Sequence, residues 1–247
     1  MYRCDATSVS GFIQQLAVQL LTSGYVLYVP GTIPEKKEPA ITDRNIITRY
    51  GLEISKATRC RRRKQGIASV HYLRHGRFFL LLATEGAHPF LEAESRSLKD
   101  ARKSPIRFAG YSVSLRDGHA HVRIEEDTYR AIRQELVSLA LYRSAATLER
   151  KIKALPFEPY APVRLQLSRL VDLVNRKRRT AGLAPLSRRC VKVRRKSVKP
   201  FAPKCCRASA PAAPATGVLE ATGSARGEDT RAPRSRRQRG EAGSSLS

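Results

Sequence analysis

Two segments of the sequence have the alternating apolar pattern and short turn of a β-hairpin. The first covers residues 69–82 and turns at His75-Gly76, and the second covers residues 111–124 and turns at Asp117-Gly118. Asp-Gly is a strong hairpin signal because both central residues of a type I′ turn need positive φ. With a strand predicted at 25–29, the hairpins predict an α+β fold with a mostly antiparallel sheet packed with helices.

Helical periodicity occupies much of the remaining chain. An apolar stripe predicts a helix that ends at Gly24, and Thr42 or Asp43 can cap a short helix that continues to Arg49. Two helices follow the second hairpin, over residues 125–155, and a longer one runs from Pro162 to Gly182.

These elements suggest three parts. We predict an α+β core domain over residues 1–155 and a basic helix and arm over 156–201. Residues 202–247 are rich in Ala, Pro, Ser, Gly and Arg, with few large apolar side chains. Because such a segment buries too little surface to offset its ordering entropy, we predict a disordered tail there.

The chain is strongly basic. Lys and Arg number 47 and Asp and Glu number 21, for a formal net charge of +26. The excess is concentrated, since no Asp or Glu occurs between residues 173 and 207. Each phosphate that a cation neutralises releases counterions, which favours association with a polyanion. The charge therefore predicts a nucleic-acid partner, DNA or RNA, although an anionic membrane surface attracts the same charge.

Two runs of cations are the candidate phosphate contacts. The first stands between a predicted helix and a predicted strand, and we expect it to form a loop beside the sheet. The second begins at the end of the long helix and continues through the arm. Their predominance of Arg favours bidentate phosphate contacts. The candidates are Arg59, Arg61, Arg62, Arg63 and Lys64 in the first run, and Arg176, Lys177, Arg178, Arg179, Arg188, Arg189, Lys192, Arg194, Arg195 and Lys196 in the second.

The stretch over residues 25–72 resembles the first half of an RNA-recognition motif. Its predicted order is strand, helix, basic loop and strand, and Leu27-Tyr28-Val29 is similar to the first-strand motif of that family. Residues 65–72 share the Gly, Ala, Val and final Tyr of its third-strand motif, but the two central aromatic positions are Ile67 and Ser69 here.

The resemblance implies that aromatic side chains of the sheet stack on bases. It makes Tyr28 and Tyr72 the candidate stacking residues, next to the cations at 59–64 that would hold phosphates.

His119-Ala120-His121 supports an alternative, enzymatic hypothesis. Residues i and i+2 of a strand point to one face, so both imidazoles can bind one divalent metal. The pattern is similar to the His-hydrophobic-His signature of single-strand endonucleases of mobile elements and replicons. That resemblance implies a metal-polarised phosphate and an attacking tyrosine, with Tyr129 or Tyr142 on the following helix as candidates. His71 is the candidate third ligand.

Other classes are less favoured. The five cysteines contain no Cys-x-x-Cys pair, which argues against a zinc ribbon. Reduced thiols favour a cytoplasmic location, and association with the nucleoid or the ribosome is compatible with it. No apolar run approaches the roughly 20 residues of a spanning helix, the N-terminus does not read as a signal peptide, and phosphate-loop and hydrolase motifs are missing.

We therefore expect a non-enzymatic nucleic-acid-binding protein without a cofactor. A ribosome- or nucleoid-associated scaffold that acts through the tail is a further alternative, and the sequence leaves the oligomeric state open.

Overall fold

The computed structural model describes residues 2–195 and 197–201. Lys196 and the tail predicted at 202–247 lie outside the described residues. The fold is α+β with antiparallel sheets, which confirms the predicted class. The helices are α1 (Val9–Gln14), α2 (Pro39–Arg49), α3 (Lys56–Lys64), α4 (Pro89–Ala93), α5 (Glu126–Leu139), α6 (Ala145–Ala154) and α7 (Ala161–Thr180). The strands are β1 (Leu27–Thr32), β2 (Val70–His75), β3 (Phe78–Ala83), β4 (Lys99–Asp100), β5 (Ile106–Phe108), β6 (Tyr111–Arg116) and β7 (His119–Ile124).

The first sheet contains four antiparallel strands in the order β2-β3-β1-β4. Along the chain its elements run β1, α2, α3, β2, β3, α4 and β4. This is the arrangement of a split βαβ unit, in which helices carry the chain from β1 past the position that β3 later fills.

Both predicted hairpins are present, in two sheets rather than one. β2 and β3 form the first, and its turn lies at Gly76-Arg77, one residue later than predicted. Only Gly76 has positive φ there (60°), as in a type II′ turn. β6 and β7 form the second within a sheet of order β5-β6-β7. Its turn residues Asp117 and Gly118 have φ of 49° and 74°, which confirms the predicted type I′ turn.

The predicted N-terminal helix is also present. Ser8 caps α1 with its hydroxyl, which accepts a hydrogen bond from the main chain of the first turn (3.1 Å). The helix continues as a π-helical segment at Gln15–Leu20 and a 3-10 turn at Leu21–Ser23, and it ends at Gly24 with φ of 88°. Glycine suits this left-handed end because it has no Cβ.

The two faces of the first sheet are covered by different parts of the chain. Leu80 and Leu82 of β3 belong to the larger core cluster, which includes α1, the second sheet and α7. Leu81 and Ala83, which point the other way, pack with Phe90 of α4 and with side chains of α2. Because packed elements cover most of both faces, this sheet lacks the open platform that the RNA-recognition-motif resemblance implies.

The predicted basic helix is α7, and it packs in the same core as residues that precede it. Val163 of α7 is buried in the cluster that contains the second sheet. Gln166 exchanges two hydrogen bonds with the main chain of Ile124 (2.8 and 3.1 Å), which occupies part of the free edge of β7. Asn175 makes the same pair of bonds with Leu186 (3.0 and 2.6 Å). The predicted boundary at residue 155 therefore falls within a continuous core.

The N-terminal segment covers the edge of β2. Arg74 donates its main-chain N–H to Cys4 (2.7 Å), and Ala6 donates to the carbonyl of Arg74 (2.7 Å). The Tyr2 hydroxyl accepts from the N–H of Tyr72 at 2.8 Å. These contacts satisfy edge groups that would otherwise be free to pair with another strand.

Candidate nucleic-acid interface

The two tyrosines predicted to stack on bases are both buried. Tyr28 is 3% exposed, lies on the face of the first sheet that the larger core covers, and donates its hydroxyl to the Ser104 carbonyl (3.2 Å). Tyr72 is 0% exposed on the opposite face. Their assignment as stacking residues is therefore wrong, because the chain itself covers both rings.

Tyr72 belongs to a buried polar cluster instead. The Asp43 carboxylate accepts from the Tyr72 hydroxyl (2.6 Å) and from Arg74 Nε (2.9 Å), and Arg74 also pairs with Asp5 (3.0 Å). Burial and the bond to Asp43 raise the pKa of Tyr72. Burial and Asp43 likewise raise the pKa of Cys4 to about 12. Such partners are what a buried ion pair requires, and they fix α2 on the sheet.

The RNA-recognition-motif resemblance does not extend to the position of its motifs. Residues 65–72 run from the end of α3 into β2, an edge strand, whereas the third strand of the sheet is β3. The residues that resemble the third-strand motif therefore run into β2 and not into β3.

The cations at 59–64 lie on α3 rather than in the predicted loop. The Ser55 hydroxyl caps this helix by accepting from the Thr58 N–H (3.1 Å), and Arg and Lys are good helix formers. Arg59 is half-buried and donates to the Leu52 carbonyl (3.0 Å), while Arg63 donates to the Ser23 carbonyl (3.0 Å) and remains exposed. A helix turns about 100° per residue, so this run does not form one continuous cationic strip.

Arg178, one of the predicted phosphate contacts, is a structural residue. It is 3% exposed and donates to three main-chain carbonyls, those of Ala140 (2.6 Å), Arg143 (2.8 Å) and Ala184 (2.6 Å). The Ala140 carbonyl directly follows the last residue of α5, where carbonyls lack helical partners. The assignment of Arg178 to phosphate binding is therefore wrong, because its guanidinium is used inside the fold.

The neighbours of Arg178 face solvent. Arg176, Lys177 and Arg179 are exposed, and Lys177 donates to the Val137 carbonyl (3.1 Å). Val137 lies on α5, so the exposed end of α7 stands beside that helix.

A shallow groove between α5 and α7 brings several arginines together. Two adjoining cavities of ≈ 520 Å³ each share Arg133 and Leu173. We call this surface the α5–α7 groove. Its lining residues are Tyr129, Arg130, Arg133, Gln134, Val137 and Ser138 of α5, and Arg169, Asp172, Leu173 and Arg176 of α7.

Charge in the α5–α7 groove is unevenly compensated. Arg130 pairs with Glu126 (3.2 Å), whereas Arg133, Arg169 and Arg176 make no ion pair among the described residues. Burial raises the pKa of Tyr129, and the nearby guanidiniums of Arg169 and Arg133 oppose that shift. The groove therefore combines three exposed guanidiniums, which make no ion pair in the described part of the chain, with a short apolar floor and one acid, Asp172, which pairs with Arg188.

Arg133 and Arg169 were absent from the predicted contacts. Arg169 lies seven residues before Arg176, and this spacing returns to the same helical face, so the pair was visible in the sequence. Arg133 could be added only from the packing of α5 on α7.

The arm after α7 is anchored at Cys190 and Val191, which are buried. Arg188 pairs with Asp172 (2.8 Å), Lys192 donates to the Leu155 carbonyl (3.1 Å), and Arg195 lies over the Tyr160 ring, 4.9 Å from its centroid. The five described candidates here are all exposed: Arg188, Arg189, Lys192, Arg194 and Arg195.

The predicted metal site does not form. His119 and His121 share the outer face of β7, as expected from their spacing, and burial together with Arg116 and Arg123 lowers the pKa of His121. Across residues 2–195 and 197–201, however, no group of three His, Cys, Asp or Glu side chains is placed to hold a metal ion.

The other residues of that hypothesis have different surroundings. His71 lies on β2, where its Nδ1 is 2.7 Å from the Tyr2 hydroxyl. Tyr129 bonds to the Gln166 carbonyl (3.5 Å), and Tyr142 is 84% exposed beyond the end of α5 rather than on it. The endonuclease constellation is thus not assembled among these residues.

Compared with protein-family models, with curated proteins and with solved structures, the chain gave no significant match. None of the described helices is long and apolar enough to cross a membrane.

Proposed function

We propose that this protein binds nucleic acid without catalysis, through phosphate contacts in the α5–α7 groove. The observation that carries the proposal is the set of three exposed arginines, Arg133, Arg169 and Arg176, on two facing helices, none of which pairs with a carboxylate within residues 2–195 and 197–201. Guanidiniums with this freedom match the bidentate geometry of phosphate oxygens.

The wider distribution of charge supports the same proposal. Arg176 leads directly to Lys177 and Arg179, and the exposed cations of the arm follow. Arm cations that already contact the protein, such as Arg188 with Asp172, contribute less in this proposal than the free groove arginines. Exposed α3 cations form a second, separate candidate contact.

Because phosphate contacts carry no sequence information, the proposal predicts sequence-tolerant binding with a steep salt dependence. The test is the affinity for a labelled duplex, measured by fluorescence anisotropy over a series of salt concentrations. In the double variant Arg169→Gln/Arg176→Gln we expect an affinity loss of about tenfold or more and a salt slope reduced by about 2.

A matched control removes two exposed arginines elsewhere. The double variant Arg102→Gln/Arg107→Gln makes the same change in net charge. Unlike the groove arginines, these two already pair with acids, Arg102 with Asp100 (2.8 Å) and Arg107 with Glu125 (3.4 Å). We expect this control to stay within about twofold of the wild type. Equal losses in the two double variants would contradict a specific role of the groove, and absence of binding by the wild type would refute the function.

We also propose a cytoplasmic location. Cys4, Cys60 and Cys190 are free thiols in the described part of the chain, and reduced thiols are typical of that compartment.

A further inference from the structure

A second cavity, of ≈ 630 Å³, lies between α2 and the first sheet, apart from the α5–α7 groove. Its apolar floor consists of Val29 of β1 with Phe79 and Leu81 of β3. Ile41 of α2 also lines it and is 54% exposed. A volume of this size accommodates a small organic ligand.

Phe79 is held in position at this cavity. A Cβ atom on Gly31, its cross-strand partner, would lie 2.2 Å from the ring atom Cζ of Phe79. The ring therefore lies against the main chain of β1, which only glycine permits at such a distance. Tyr72 contacts it on β2, with ring centroids 5.7 Å apart. From this position the Phe79 side chain lines the cavity.

The rim is cationic and partly rigid. Lys36 and Lys37 come from the loop between β1 and α2, and Arg49 from the last turn of α2. The guanidinium of Arg77 donates to the carbonyls of Pro34 (2.6 Å), Glu35 (3.1 Å) and Lys37 (3.2 Å), which fixes the loop that carries both lysines.

Hydrogen-bonding groups complete the lining. Thr42 and Asn45 of α2 offer a hydroxyl and an amide, and the two acids of the lining are Glu38 and Glu94. Glu94 accepts a hydrogen bond from the Tyr50 hydroxyl (2.8 Å), which occupies one of its oxygens. The three cations outnumber the two acids, so the cavity favours an anionic ligand.

We propose that this cavity binds a nucleotide, with its base beside Phe79 and its phosphate at Lys36 and Lys37. An aromatic ring on an apolar floor suits the face of a base, because bases stack on aromatic side chains whatever their sequence. Asn45 and Thr42 can bond to the base edge, and the lysines compensate the phosphate. The nucleotide is either free or an unpaired member of a bound strand, and in the second case the inference rests on the proposed function.

The test uses AMP and a short single-stranded adenylate oligonucleotide, with a duplex for comparison. Binding is followed by NMR shifts for AMP and by fluorescence anisotropy for the strands. In Phe79→Leu, which keeps an apolar side chain but removes the aromatic ring, and in Lys36→Gln/Lys37→Gln, which changes only exposed side chains, we expect AMP or single-strand affinity to fall about tenfold. Duplex affinity stays unchanged. The charge-matched control is Lys103→Gln/Lys153→Gln, at two exposed positions outside the cavity.

The outcomes separate this inference from the proposed function. If the cavity variants bind AMP more weakly, the ligand of the cavity is a free nucleotide. If they bind only the single strand more weakly, the ligand is an unpaired nucleotide of a strand. If AMP causes no shifts and the cavity variants bind the single strand like the wild type, the cavity inference is overturned. Duplex binding that depends on Arg169 and Arg176 survives that result. If no strand binds the wild type but AMP binds at Phe79, the proposed function fails and the cavity inference stands.

Discussion

Arg178 and Arg176 lie two residues apart on α7, yet they serve opposite purposes. Arg178 is buried and bonded to three carbonyls, whereas Arg176 is exposed in the α5–α7 groove without an ion pair among the described residues. A run of basic residues on a helix is therefore divided by helical geometry into structural and solvent-facing members. Net charge counts both equally, but only the second kind can contact a ligand.

The same division separates two larger regions. Inside the fold, Arg74 is bonded to Asp43 and Asp5, and Arg178 to carbonyls, because a buried cation needs partners. In the α5–α7 groove, Arg133, Arg169 and Arg176 are exposed and make no ion pair among the described residues. We expect substitutions in the interior to change stability and substitutions in the groove to change binding.

The largest expected effect is on stability, at Arg178. Because Arg178→Met leaves three carbonyls without a donor, we expect the free energy of unfolding to fall by about 3 kcal/mol or more. Arg176→Met is the matched control, and it should stay within about 0.5 kcal/mol of the wild type. Urea denaturation of the full chain measures both. Equal stability of the two variants would remove the distinction between them.

A second effect concerns pH, at His71. Burial, reinforced by Arg59, lowers its pKa to about 3, and its Nε2 is buried without a partner among the described residues. The unfolded histidine takes up a proton near pH 6.5 and the folded one does not, so stability falls as the pH decreases from about 6.5 toward 3. We expect this contribution to reach about 3 kcal/mol by about pH 4.5.

The comparison is made with His71→Gln, which should lose less stability than the wild type over that pH range. His119→Gln, at an exposed histidine, is the control and should follow the wild type. Parallel pH profiles for all three proteins would show that His71 titrates normally in the folded state.

The smallest expected effect is on binding, at α3. Arg61 and Lys64 are exposed on a single helix, unlike the arginines of the groove, which two helices contribute. Solvent and salt therefore screen their contacts. For Arg61→Gln/Lys64→Gln we expect a loss of duplex affinity of about threefold, measured by anisotropy beside the groove variant. A loss larger than that of Arg169→Gln/Arg176→Gln would make α3 the main contact.

Local sequence signals predicted the parts of the fold that depend on local geometry. Asp117-Gly118 specified its hairpin because positive φ is required at both positions. The concentration of charge predicts a loop at 59–64, although Ser55 is a good cap and no Gly or Pro occurs between Ser55 and Gly66. Helix propensity would have corrected that prediction.

The candidate site was less predictable because it depends on packing between distant elements. Arg178 lies four residues after Val174 and seven after Val171, on the same buried stripe, so the sequence predicts its inward position. The carbonyls that it bonds, and the approach of Arg133 to α7, follow only from the tertiary structure. The burial of Tyr28 likewise depends on packing between distant elements in the larger core.

The most direct test of the central claim is arginine footprinting of the full chain. The protein is treated with an arginine-specific dicarbonyl reagent with and without bound duplex, and modified peptides are quantified by mass spectrometry. The account predicts that bound duplex protects Arg133, Arg169 and Arg176, whereas Arg102 and Arg107 react equally in both states. Protection confined to other arginines, with the three groove residues still reactive, would contradict it.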